Sequence, residues 1–396
     1  MSRSLQVRLF EKPVPLTELP TPCLLLEESR LERNAARLAV HWDGSSACLR
    51  PHLKTCRCWE VARRILASPA GPCTVATMGE AEAVTSLGGR DIVLAVSIRP
   101  ALFARAQALM EQGADLKVLL DSRTMAQALA DYAREQGCTF SVLLEIDCDG
   151  HRAGLAAADP ELVCVADLLR AAGQIVAGVL THAGSAYGCP DTASIQALAD
   201  QEQEAALQAA ELLRARGHAC PIVSVGSTPT ALLGTPRPGI SEVRAGVYLF
   251  MDLVMEGLGV CSLEDLALSV LTSVIGGFPE QGRLPRRLLT DAGWAALSSD
   301  RGLERRFASQ GFGLVCTMEG HLLPGLKVAE LNQEHGMLSV PAHPDEDVRD
   351  ALMHLRADSK LRILPNHACA TSMMHQSIYL VRDNAAVALL PRFGGW

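Results

Sequence analysis

Eight short apolar runs, separated by longer amphipathic stretches, are the feature that most limits how this chain can fold. Each run is four to seven residues long and is bounded by Gly, Pro, Asp or Asn, which is typical of short buried strands. The runs cover residues 47–53, 73–76, 91–96, 116–120, 140–146, 176–181, 221–225 and 242–247. The apolar spacing between them predicts helices over residues 59–66, 79–87, 99–112, 122–136, 160–171 and 192–216. Strands that alternate with helices form a parallel sheet, because each crossover must cover one of its faces.

Eight such units predict a closed (β/α)8 barrel over residues 21–260, with an open doubly wound sheet as the alternative. The rhythm changes after residue 252, where strand-like segments follow one another with turns between them. These segments are residues 266–275, 287–291, 314–318, 327–331, 361–364 and 378–381, with one short helical stretch at 294–297. We therefore predict a mainly antiparallel β domain over residues 261–396, to which residues 1–20 add a strand.

The charge balance argues against a nucleic-acid partner. The 36 basic and 44 acidic residues give a net charge of -8, and aromatic residues make up 4% of the chain. Phosphate recognition needs an excess of cations, and base stacking needs aromatic rings. No apolar run approaches the roughly 20 residues that span a bilayer, and the first 20 residues lack the apolar core of a secretory signal. Thirteen cysteines without a Cys-x-x-Cys pair predict reduced thiols in a cytoplasmic protein.

Lysine is scarce in this chain, since only five of the 36 basic residues are lysines. One of them, Lys54, ends the first predicted barrel strand, in the segment Arg50-Pro51-His52-Leu53-Lys54-Thr55. Catalytic groups of (β/α)8 barrels lie at the carboxyl ends of the strands. A lysine shielded from water has a lowered pKa and forms imines with carbonyl compounds. Lys54 is therefore the predicted catalytic residue, with a structural ion pair to a barrel carboxylate as the alternative.

A glycine- and hydroxyl-rich segment follows the seventh predicted strand, and a further glycine follows the eighth. Such loops bind phosphate through free backbone amides, and many barrels hold a phosphate after strands seven and eight. The same string is equally typical of an ordinary helix N-cap. A barrel lysine together with a phosphate loop predicts pyridoxal phosphate, held as an imine at one end and by its phosphate at the other. The candidate phosphate-binding residues are Gly226, Ser227, Thr228, Gly246 and Tyr248.

Polar residues also follow the fifth and sixth predicted strands, in residues 149–154 and 181–187. Arg152, His182 and Tyr187 are the side chains there that suit the hydroxyl group and the ring nitrogen of the cofactor. Solvated loop residues are the alternative for all three, and the presence of Lys54 favours the cofactor.

A His-x-Cys pair, His367 and Cys369, stands out in the predicted β domain. On an extended segment the two side chains point to the same face. Imidazole and thiolate are ligands that suit Zn²⁺, and two protein ligands leave positions open for substrate and water. Taken alone, the pair more often means a structural cysteine beside a histidine. The segment Glu334-His335-Gly336 is a further polar cluster in apolar surroundings, and it is predicted to act as acid or base or to support the metal ligands.

Four segments together resemble the D-serine dehydratase and D-threonine aldolase family of fold-type III pyridoxal phosphate enzymes. They are residues 50–55, 226–229, 333–336 and 365–371, and the closing Gly395-Trp396 agrees with them. The similarity extends from about residue 21 to residue 379. It implies an alanine-racemase-like barrel with Lys54 bound to the cofactor, and Zn²⁺ on His367 and Cys369. Cysteine at 369, where aldolases of the family carry a carboxylate, resembles the eukaryotic-type zinc-dependent D-serine dehydratases.

The resemblance implies a homodimer that converts D-serine to pyruvate and ammonia, with the β domain completing the partner's active site. A D-3-hydroxyamino-acid aldolase and a D-threo-3-hydroxyaspartate dehydratase are the enzyme alternatives, because they use the same groups. The non-enzyme alternative is a pyridoxal phosphate carrier, although such carriers stop after the barrel. Three positions depart from the family pattern: Cys56-Arg57 replaces His-Lys, His151 replaces a small or amide residue, and Ser185 replaces a bulkier polar residue. These departures alter the polar rim of the predicted pocket.

Overall fold

The predicted alternation of strands and helices is present in the computed structural model, which describes residues 6–302 and 310–395. In chain order the strands are β1 (Arg8–Pro15), β2 (Cys23–Glu27), β3 (Cys48–Leu49), β4 (Cys73–Val75), β5 (Asp91–Ser97), β6 (Asp115–Leu120), β7 (Ser141–Asp147), β8 (Leu155–Ala156), β9 (Ile175–Thr181), β10 (Ile222–Val225), β11 (Glu242–Val243), β12 (Leu268–Gly276), β13 (Arg287–Thr290), β14 (Leu314–Cys316), β15 (Leu322–Leu331), β16 (Gly336–Ser339), β17 (Lys360–Leu364), β18 (Ser377–Arg382) and β19 (Ala385–Pro391).

The α-helices of the described residues, again in chain order, are α1 (Glu28–His41), α2 (Trp59–Ala62), α3 (Met78–Ser86), α4 (Phe103–Glu111), α5 (Arg123–Gln136), α6 (Pro160–Ala171), α7 (Thr192–Ala215), α8 (Thr228–Leu233), α9 (Leu253–Gly257), α10 (Trp294–Leu297), α11 (Glu346–Met353) and α12 (Ala368–Met373). In the part of the chain that the structure describes, no helix combines the length and the apolar character that a membrane crossing requires.

The chain divides into two units, which we call the barrel unit and the β unit. The barrel unit consists of the described residues of Ala36–Tyr248 and Phe393–Trp396. The β unit consists of those of Met1–Ala35 and Leu249–Arg392. Residues 1–5 and 303–309 of the predicted β domain, and Trp396 of the resembling terminus, lie outside the described residues.

Eight parallel strands of the barrel unit form a closed ring. They pair in the order β3-β11-β10-β9-β7-β6-β5-β4, and the short β8 pairs with β7. Residues just after β3 close the ring on β4, because Leu53 N–H donates to the Thr74 carbonyl and Thr74 N–H donates to the Pro51 carbonyl, each at 2.8 Å. The predicted closed barrel is therefore confirmed, and the open sheet is excluded.

Capping residues in the sequence mark the observed starts and ends of several barrel helices. Asp159 and Asp191 cap α6 and α7 by accepting hydrogen bonds from backbone N–H groups. Pro160 occupies the first position of α6, where a backbone N–H would have no partner within the helix, so its missing N–H costs nothing. α5 ends at Gln136, and its C-cap Gly137 has φ of 66°, the left-handed conformation that favours glycine. The helices therefore begin and end within a few residues of their predicted bounds.

Ionised side chains pair near the amino ends of several barrel strands. Arg50, which follows the two-residue strand β3 and precedes the seam of the barrel, contacts Glu242 through Nη2 at 2.5 Å and Asp91 through Nη1 at 2.8 Å. Lys117 Nζ lies 2.8 Å from the same Asp91 carboxylate. Burial opposes the charged form of Asp91, but the hydrogen bonds from Arg50 and Lys117 outweigh it and lower the pKa of Asp91. Each buried charge in this network thus has an opposite charge beside it.

The β unit is built around a ring of antiparallel strands. β12, β13, β16, β15, β14 and β17 pair in that order, and β17 pairs back to β12. The sheet continues from β12 through β2, β18 and β19 to β1, with the β2–β18 pair parallel. The mainly antiparallel character of this part of the chain is therefore confirmed.

Several parts of the β unit were not foreseen from the sequence. Residues 21–35 and 249–260, which the sequence analysis assigned to the barrel, cluster with the β unit in the structure. The reason for the first of these is that β2 pairs with both β12 and β18. The amphipathic helix α11 and the short helix α12 replace segments that were expected to be irregular or extended.

The Arg50 network generates a prediction about stability. Replacing Arg50 by Ala leaves the buried Glu242 carboxylate without its main counter-charge, so we expect the free energy of unfolding to fall by about 3–5 kcal/mol. Arg63→Ala removes an exposed pair with Glu60 on one helical turn and should cost less than about 1 kcal/mol. Urea denaturation followed by circular dichroism measures both, and equal effects of the two substitutions would contradict the assignment.

Candidate active site

Lys54 lies in a tight turn directly after the seam that closes the barrel. Strand-like pairing continues as far as the N–H of Leu53, so Lys54 is the first residue beyond it. The turn is closed by Arg57 N–H, which donates to the Leu53 carbonyl at 2.7 Å. Lys54 N–H donates to Nδ1 of His52 at 3.4 Å, and the lysine is half-buried. The position at a strand's carboxyl end, expected from the sequence, is the one observed.

The glycine after the eighth barrel strand lies against the Lys54 turn. A Cβ at Gly246 would stand 3.0 Å from Thr55 Oγ1 and 3.1 Å from the His52 carbonyl oxygen. Two of the predicted site residues, Lys54 and Gly246, are therefore neighbours in space, although 192 residues separate them in the chain.

The loop after the seventh strand is held in a conformation that only glycine adopts easily. Gly226 has φ of 127°, and a Cβ there would lie 2.2 Å from the Arg244 carbonyl oxygen. Its N–H donates to Glu202 Oε1 at 3.1 Å, and its carbonyl oxygen lies 3.0 Å from Nδ1 of His182. The predicted residues Gly226 and His182 thus contact each other directly.

The two residues after Gly226 already have hydrogen-bond partners within the loop. Ser227 is the N-cap of α8, and its hydroxyl and N–H both bond to Thr230. Thr228 Oγ1 accepts from Tyr248 N–H at 3.2 Å, which joins the loops after strands seven and eight. Tyr248 has its ring buried in the core, and burial raises the pKa of its phenol. The N-cap interpretation of Ser227 is confirmed, and phosphate binding by these residues stays a prediction.

Glu202 on α7 is a residue of this site that the sequence analysis missed. It is 1% exposed, and its Oε1 accepts from Ala183 N–H at 2.9 Å as well as from Gly226. Burial raises the pKa of its carboxyl group, and these two hydrogen bonds partly offset that effect. Glu202 therefore ties the sixth strand's end to the seventh. The sequence did contain a sign of it. Glu202 lies three residues after Ala199, at the spacing that places a residue on the buried face of α7, where a glutamate is unusual.

The ends of these strands form a cationic environment around two neutral histidines. Burial lowers the pKa of His182 to about 4, and the charges of Lys54, Arg244 and Arg152 act in the same direction, against the Gly226 carbonyl. Burial and the same Lys54 and Arg244 charges lower the pKa of His52 well below its ordinary value. A rim with cations and uncharged imidazoles attracts an anionic ligand. The positive charges at these strand ends would attract a ligand that carries both a phosphate ester and a second anionic group.

Arg244 is the second residue of this region that was not singled out from the sequence. It lies one residue beyond β11 and is 4% exposed. Its Nη1 donates to Ser224 Oγ at 2.7 Å and its Nη2 to the Thr181 carbonyl at 2.5 Å. Because burial disfavours the charged guanidinium, the pKa of Arg244 is lowered to about 10 and the group stays charged at neutral pH. Arg244 thus fixes three strand ends relative to one another.

Two rim loops carry the remaining predicted residues. Arg152 is exposed in the loop after β7, and Tyr187 is half-buried in the 3₁₀ turn Gly184–Gly188 after β9. The loops are joined by Asp149, whose Oδ2 accepts from Ser185 N–H at 2.9 Å. Arg152 and Tyr187 therefore lie in neighbouring loops of the same rim.

The departure at His151 also contacts this rim. The imidazole of His151 packs on Gly184, where an added Cβ would stand 2.4 Å from its Cδ2 atom. A side chain larger than hydrogen at 184 would therefore displace His151. His151 and Ser185, both noted as departures from the family, belong to one connected pair of loops.

The His-x-Cys pair of the β unit has a local structure that differs from the expected one. His367 is the N-cap of α12 and Cys369 lies in its first turn, so the segment is a helix start and not an extended strand. The two side chains still meet, because the imidazole and the thiol are hydrogen-bonded. Burial alone would lower the pKa of His367, but the hydrogen bonds to Asp300 and Cys369 raise it to about 11.

Asp300 is the residue beside this pair that the sequence did not reveal. Its Oδ2 lies 2.7 Å from Nδ1 of His367, and its Oδ1 accepts from Gly302 N–H at 2.7 Å. A carboxylate on one ring nitrogen leaves Nε2 for a metal and fixes the ring, as around many metal-binding histidines. Within residues 6–302 and 310–395, no set of three or more His, Cys, Asp or Glu groups forms a metal cage. The donor chemistry fits a metal ion with two protein ligands and open positions.

The loop that carries the pair is fixed by a second aspartate. Asp252, 1% exposed, caps α9 through Met255 N–H at 2.9 Å and accepts from Ala368 N–H at 2.8 Å. Glu334 and His335, by contrast, are exposed in the turn between β15 and β16. The apolar surroundings expected for that cluster are therefore not observed.

Comparisons with known proteins agree with this architecture. The family model described as "Alanine racemase, N-terminal domain" matches residues 26–254, and that described as "Putative serine dehydratase domain" matches residues 267–381. The D-threo-3-hydroxyaspartate dehydratase of Delftia sp. (strain HT23) is 44% identical over 96% of this chain and 99% of its own. The chain belongs to the fold-type III pyridoxal phosphate family of D-serine dehydratases and D-threonine aldolases.

Other members of the family are similar over comparable lengths. The D-serine dehydratase of Dictyostelium discoideum is 29% identical over 93% of this chain and 95% of its own. The solved structure of the Delftia enzyme superposes with a TM-score of 0.90 at 43% identity, covering 97% of this chain and 100% of that one. Two further solved structures are described as mutants of a D-threo-3-hydroxyaspartate dehydratase, one with a histidine and the other with a cysteine, two positions later, changed to alanine. The cysteine mutant is described as being in the metal-free form. The alanine-racemase-like fold and the family expected from the sequence are confirmed.

The depressed pKa of His182 generates a prediction about pH. The pKa is about 4 in the folded chain and 6.5 in the unfolded one, so the unfolded state binds more protons between these values. Stability is therefore complete above about pH 6.5 and falls as the pH decreases toward 4. Chemical denaturation of the cofactor-free protein across this range should show a shallower fall for His182→Gln than for the wild type. Parallel curves for the two proteins would contradict the buried, neutral state of His182.

Proposed function

We propose that the chain is a pyridoxal-phosphate- and metal-dependent dehydratase of D-3-hydroxyamino acids. In this reaction the substrate loses its Cα proton and its β-hydroxyl group, and the product hydrolyses to a keto acid and ammonia. The observation that carries the proposal is the occurrence of two features in one chain. These are Lys54 at the barrel rim and the hydrogen-bonded His367 and Cys369 in the β unit. A pyridoxal phosphate carrier has no use for the second feature.

The barrel unit offers groups suited to pyridoxal phosphate. This cofactor supplies an aldehyde that forms imines with amines and a ring that withdraws electrons from Cα. Gly226 and Gly246 let the loops after the seventh and eighth strands pack closely, because a Cβ at Gly226 would collide with Arg244 and one at Gly246 would crowd Thr55 and His52. The cations Lys54, Arg152 and Arg244 complement the charge of the phosphate and of a substrate carboxylate. The residues present therefore fit the cofactor.

Each predicted barrel residue has a role in the proposed reaction. Lys54 Nζ would hold the cofactor through its aldehyde, and the amine of the same side chain would be the base that takes the Cα proton of the substrate. Tyr187 and Arg152 flank the cofactor ring, and neutral His182 keeps a hydrogen-bonding nitrogen beside it. The phosphate is held by Gly226, Ser227, Thr228, Gly246 and Tyr248.

The β unit offers groups suited to a divalent metal, and we propose Zn²⁺ on His367 and Cys369. A Lewis acid makes the β-hydroxyl group a better leaving group, which is the main obstacle to this elimination. Asp300 occupies Nδ1 of His367, so that Nε2, on the side of Cys369, is the ring nitrogen that would bind the ion. The metal-free form described for a cysteine mutant of a D-threo-3-hydroxyaspartate dehydratase supports this assignment.

Within the substrate class we favour D-threo-3-hydroxyaspartate. The support is the 44% identity to an enzyme named for that substrate, against 29% for a D-serine dehydratase. D-Serine, which the sequence analysis favoured, is the second candidate, because its α-carbon and β-hydroxyl group are the same. The aldolase alternative uses the same residues but breaks the Cα–Cβ bond. The homodimer and the cytoplasmic location stay predictions.

Product identity tests the reaction. Purified protein incubated with D-threo-3-hydroxyaspartate should release ammonia and oxaloacetate, and with D-serine, more slowly, ammonia and pyruvate. L-Serine should not react, because a single lysine reaches the Cα proton of one enantiomer. Lys54→Ala should lose both turnover and the imine that borohydride reduces, whereas Lys12→Ala, on the exposed strand β1, should keep them. Glycine plus an aldehyde would favour the aldolase, and a reducible imine in Lys54→Ala would contradict the assignment of Lys54.

Metal removal tests the second half of the proposal. A chelator should abolish dehydration of hydroxyamino acids while the imine absorbance persists, and Zn²⁺ should restore turnover. A substrate with a good leaving group, β-chloro-D-alanine, should still react without metal, because chloride needs no activation. His367→Ala and Cys369→Ala should behave like the chelated protein. Asp300→Ala should weaken zinc binding about 10- to 100-fold in competition with a chromophoric chelator. Undiminished turnover without metal would mean that the pair is structural.

A further inference from the structure

Arg57, three residues after Lys54, has an unusual backbone conformation. Its φ is +41°, the left-handed region that residues with a Cβ seldom adopt and that glycine favours. The same residue closes the Lys54 turn through its N–H on the Leu53 carbonyl at 2.7 Å. A strained residue persists where its surroundings hold it from several directions. The contacts of Arg57 therefore identify the groups that hold the Lys54 turn in place.

The side chain of Arg57 is held by a buried carboxylate on α3. Arg57 Nη2 lies 2.6 Å from Glu80 Oε1, with the glutamate fully buried and the arginine side chain 11% exposed. The other carboxylate oxygen of Glu80 accepts from Ala76 N–H at 2.8 Å. The ion pair thus connects the Lys54 turn to the start of α3, at the end of the neighbouring strand β4.

The carbonyl group of Arg57 is held by the last residues of the chain. Phe393 N–H donates to it at 2.7 Å, and Phe393 is 5% exposed. Two residues later, the Gly395 carbonyl accepts from Thr77 Oγ1 at 3.0 Å, and Thr77 is the N-cap of α3. Residues 393–395, which cluster with the barrel unit, therefore bridge the Lys54 turn and the start of α3.

We propose that Arg57 and residues 393–395 act as a latch that positions the Lys54 amine at the barrel rim. The inference rests on the proposed role of Lys54 as the residue that binds the cofactor. The latch holds Arg57 by two groups. Its guanidinium pairs with Glu80, and its carbonyl oxygen accepts the hydrogen bond from Phe393 N–H. Arg57 and Phe393 are positioning residues, since they act through the turn and not on the cofactor itself. Loosening either contact lets the Lys54 turn relax and shortens the lifetime of the bound cofactor.

Two matched pairs of substitutions test the latch in the holoenzyme. Phe393→Pro removes the N–H donor, whereas Phe393→Ala keeps it. Glu80→Gln removes the charge that holds Arg57, whereas Glu82→Gln changes a half-exposed glutamate of the same helix that pairs with Arg105. The readouts are the rate of pyridoxal phosphate loss to a scavenger, the pH midpoint of the imine absorbance, and the melting temperature of the cofactor-free protein.

We expect Phe393→Pro and Glu80→Gln to lose the cofactor about three- to tenfold faster and to shift the pH midpoint, the size of effect expected when one hydrogen bond is lost. Glu82→Gln should stay within about twofold of the wild type. Phe393→Ala loses the buried ring but keeps the N–H donor, so it should lose the cofactor more slowly than Phe393→Pro. Wild-type cofactor loss in a folded Phe393→Pro protein, or equal effects of the two changes at 393, would overturn the latch. If Phe393→Pro does not fold, wild-type behaviour of Glu80→Gln overturns it. A borohydride-reducible imine in Lys54→Ala would instead overturn the proposed function.

Discussion

The seam between the first and second barrel strands is the interaction on which the rest of the barrel unit depends. Residues 51–53 bond to Thr74 on one side and to the strand before Gly246 on the other, and this pairing turns an open row of parallel strands into a ring. In a closed parallel ring every carboxyl end lies on the same rim. Lys54 is the first residue past the seam, so closure itself brings it beside residues from the far end of the barrel sequence.

Closure also explains why the rim and the opposite ends of the strands have different chemistry. Where the strands begin, Arg50, Asp91, Lys117 and Glu242 pair with one another, and each charge has a partner. At the rim, cations surround histidines that burial and like charge keep neutral. The first arrangement pairs each of these charges within the protein, whereas the rim presents the cations Lys54, Arg152 and Arg244, which would complement an anionic ligand. Stability and ligand attraction thus belong to opposite ends of the same strands.

Much of the fold follows from the sequence because buried parallel strands are continuous apolar runs, and all eight runs became barrel strands. Site residues on strand ends, such as Lys54 and Gly226, were found for the same reason. The helix that follows His367 was missed, because a two-residue spacing fits both a strand and the start of a helix. The hydrogen bond that supports the helix start comes from Ala368 N–H to Asp252, which is distant in the sequence. Asp300 and Glu202 were missed because their partners are 67 and 19 or more residues away, and no local pattern marks such contacts.

The two rim loops that Asp149 joins carry two of the three departures from the family pattern, His151 and Ser185. The loop link uses the backbone N–H of Ser185, so it survives any replacement of that side chain other than proline. His151 is exposed and packs on a glycine, so its replacement leaves no buried cavity behind. Neither position contributes a strand or a core side chain. Mutations there are therefore nearly free of a folding penalty, and natural selection can explore substrate preference at this rim while the barrel stays unchanged.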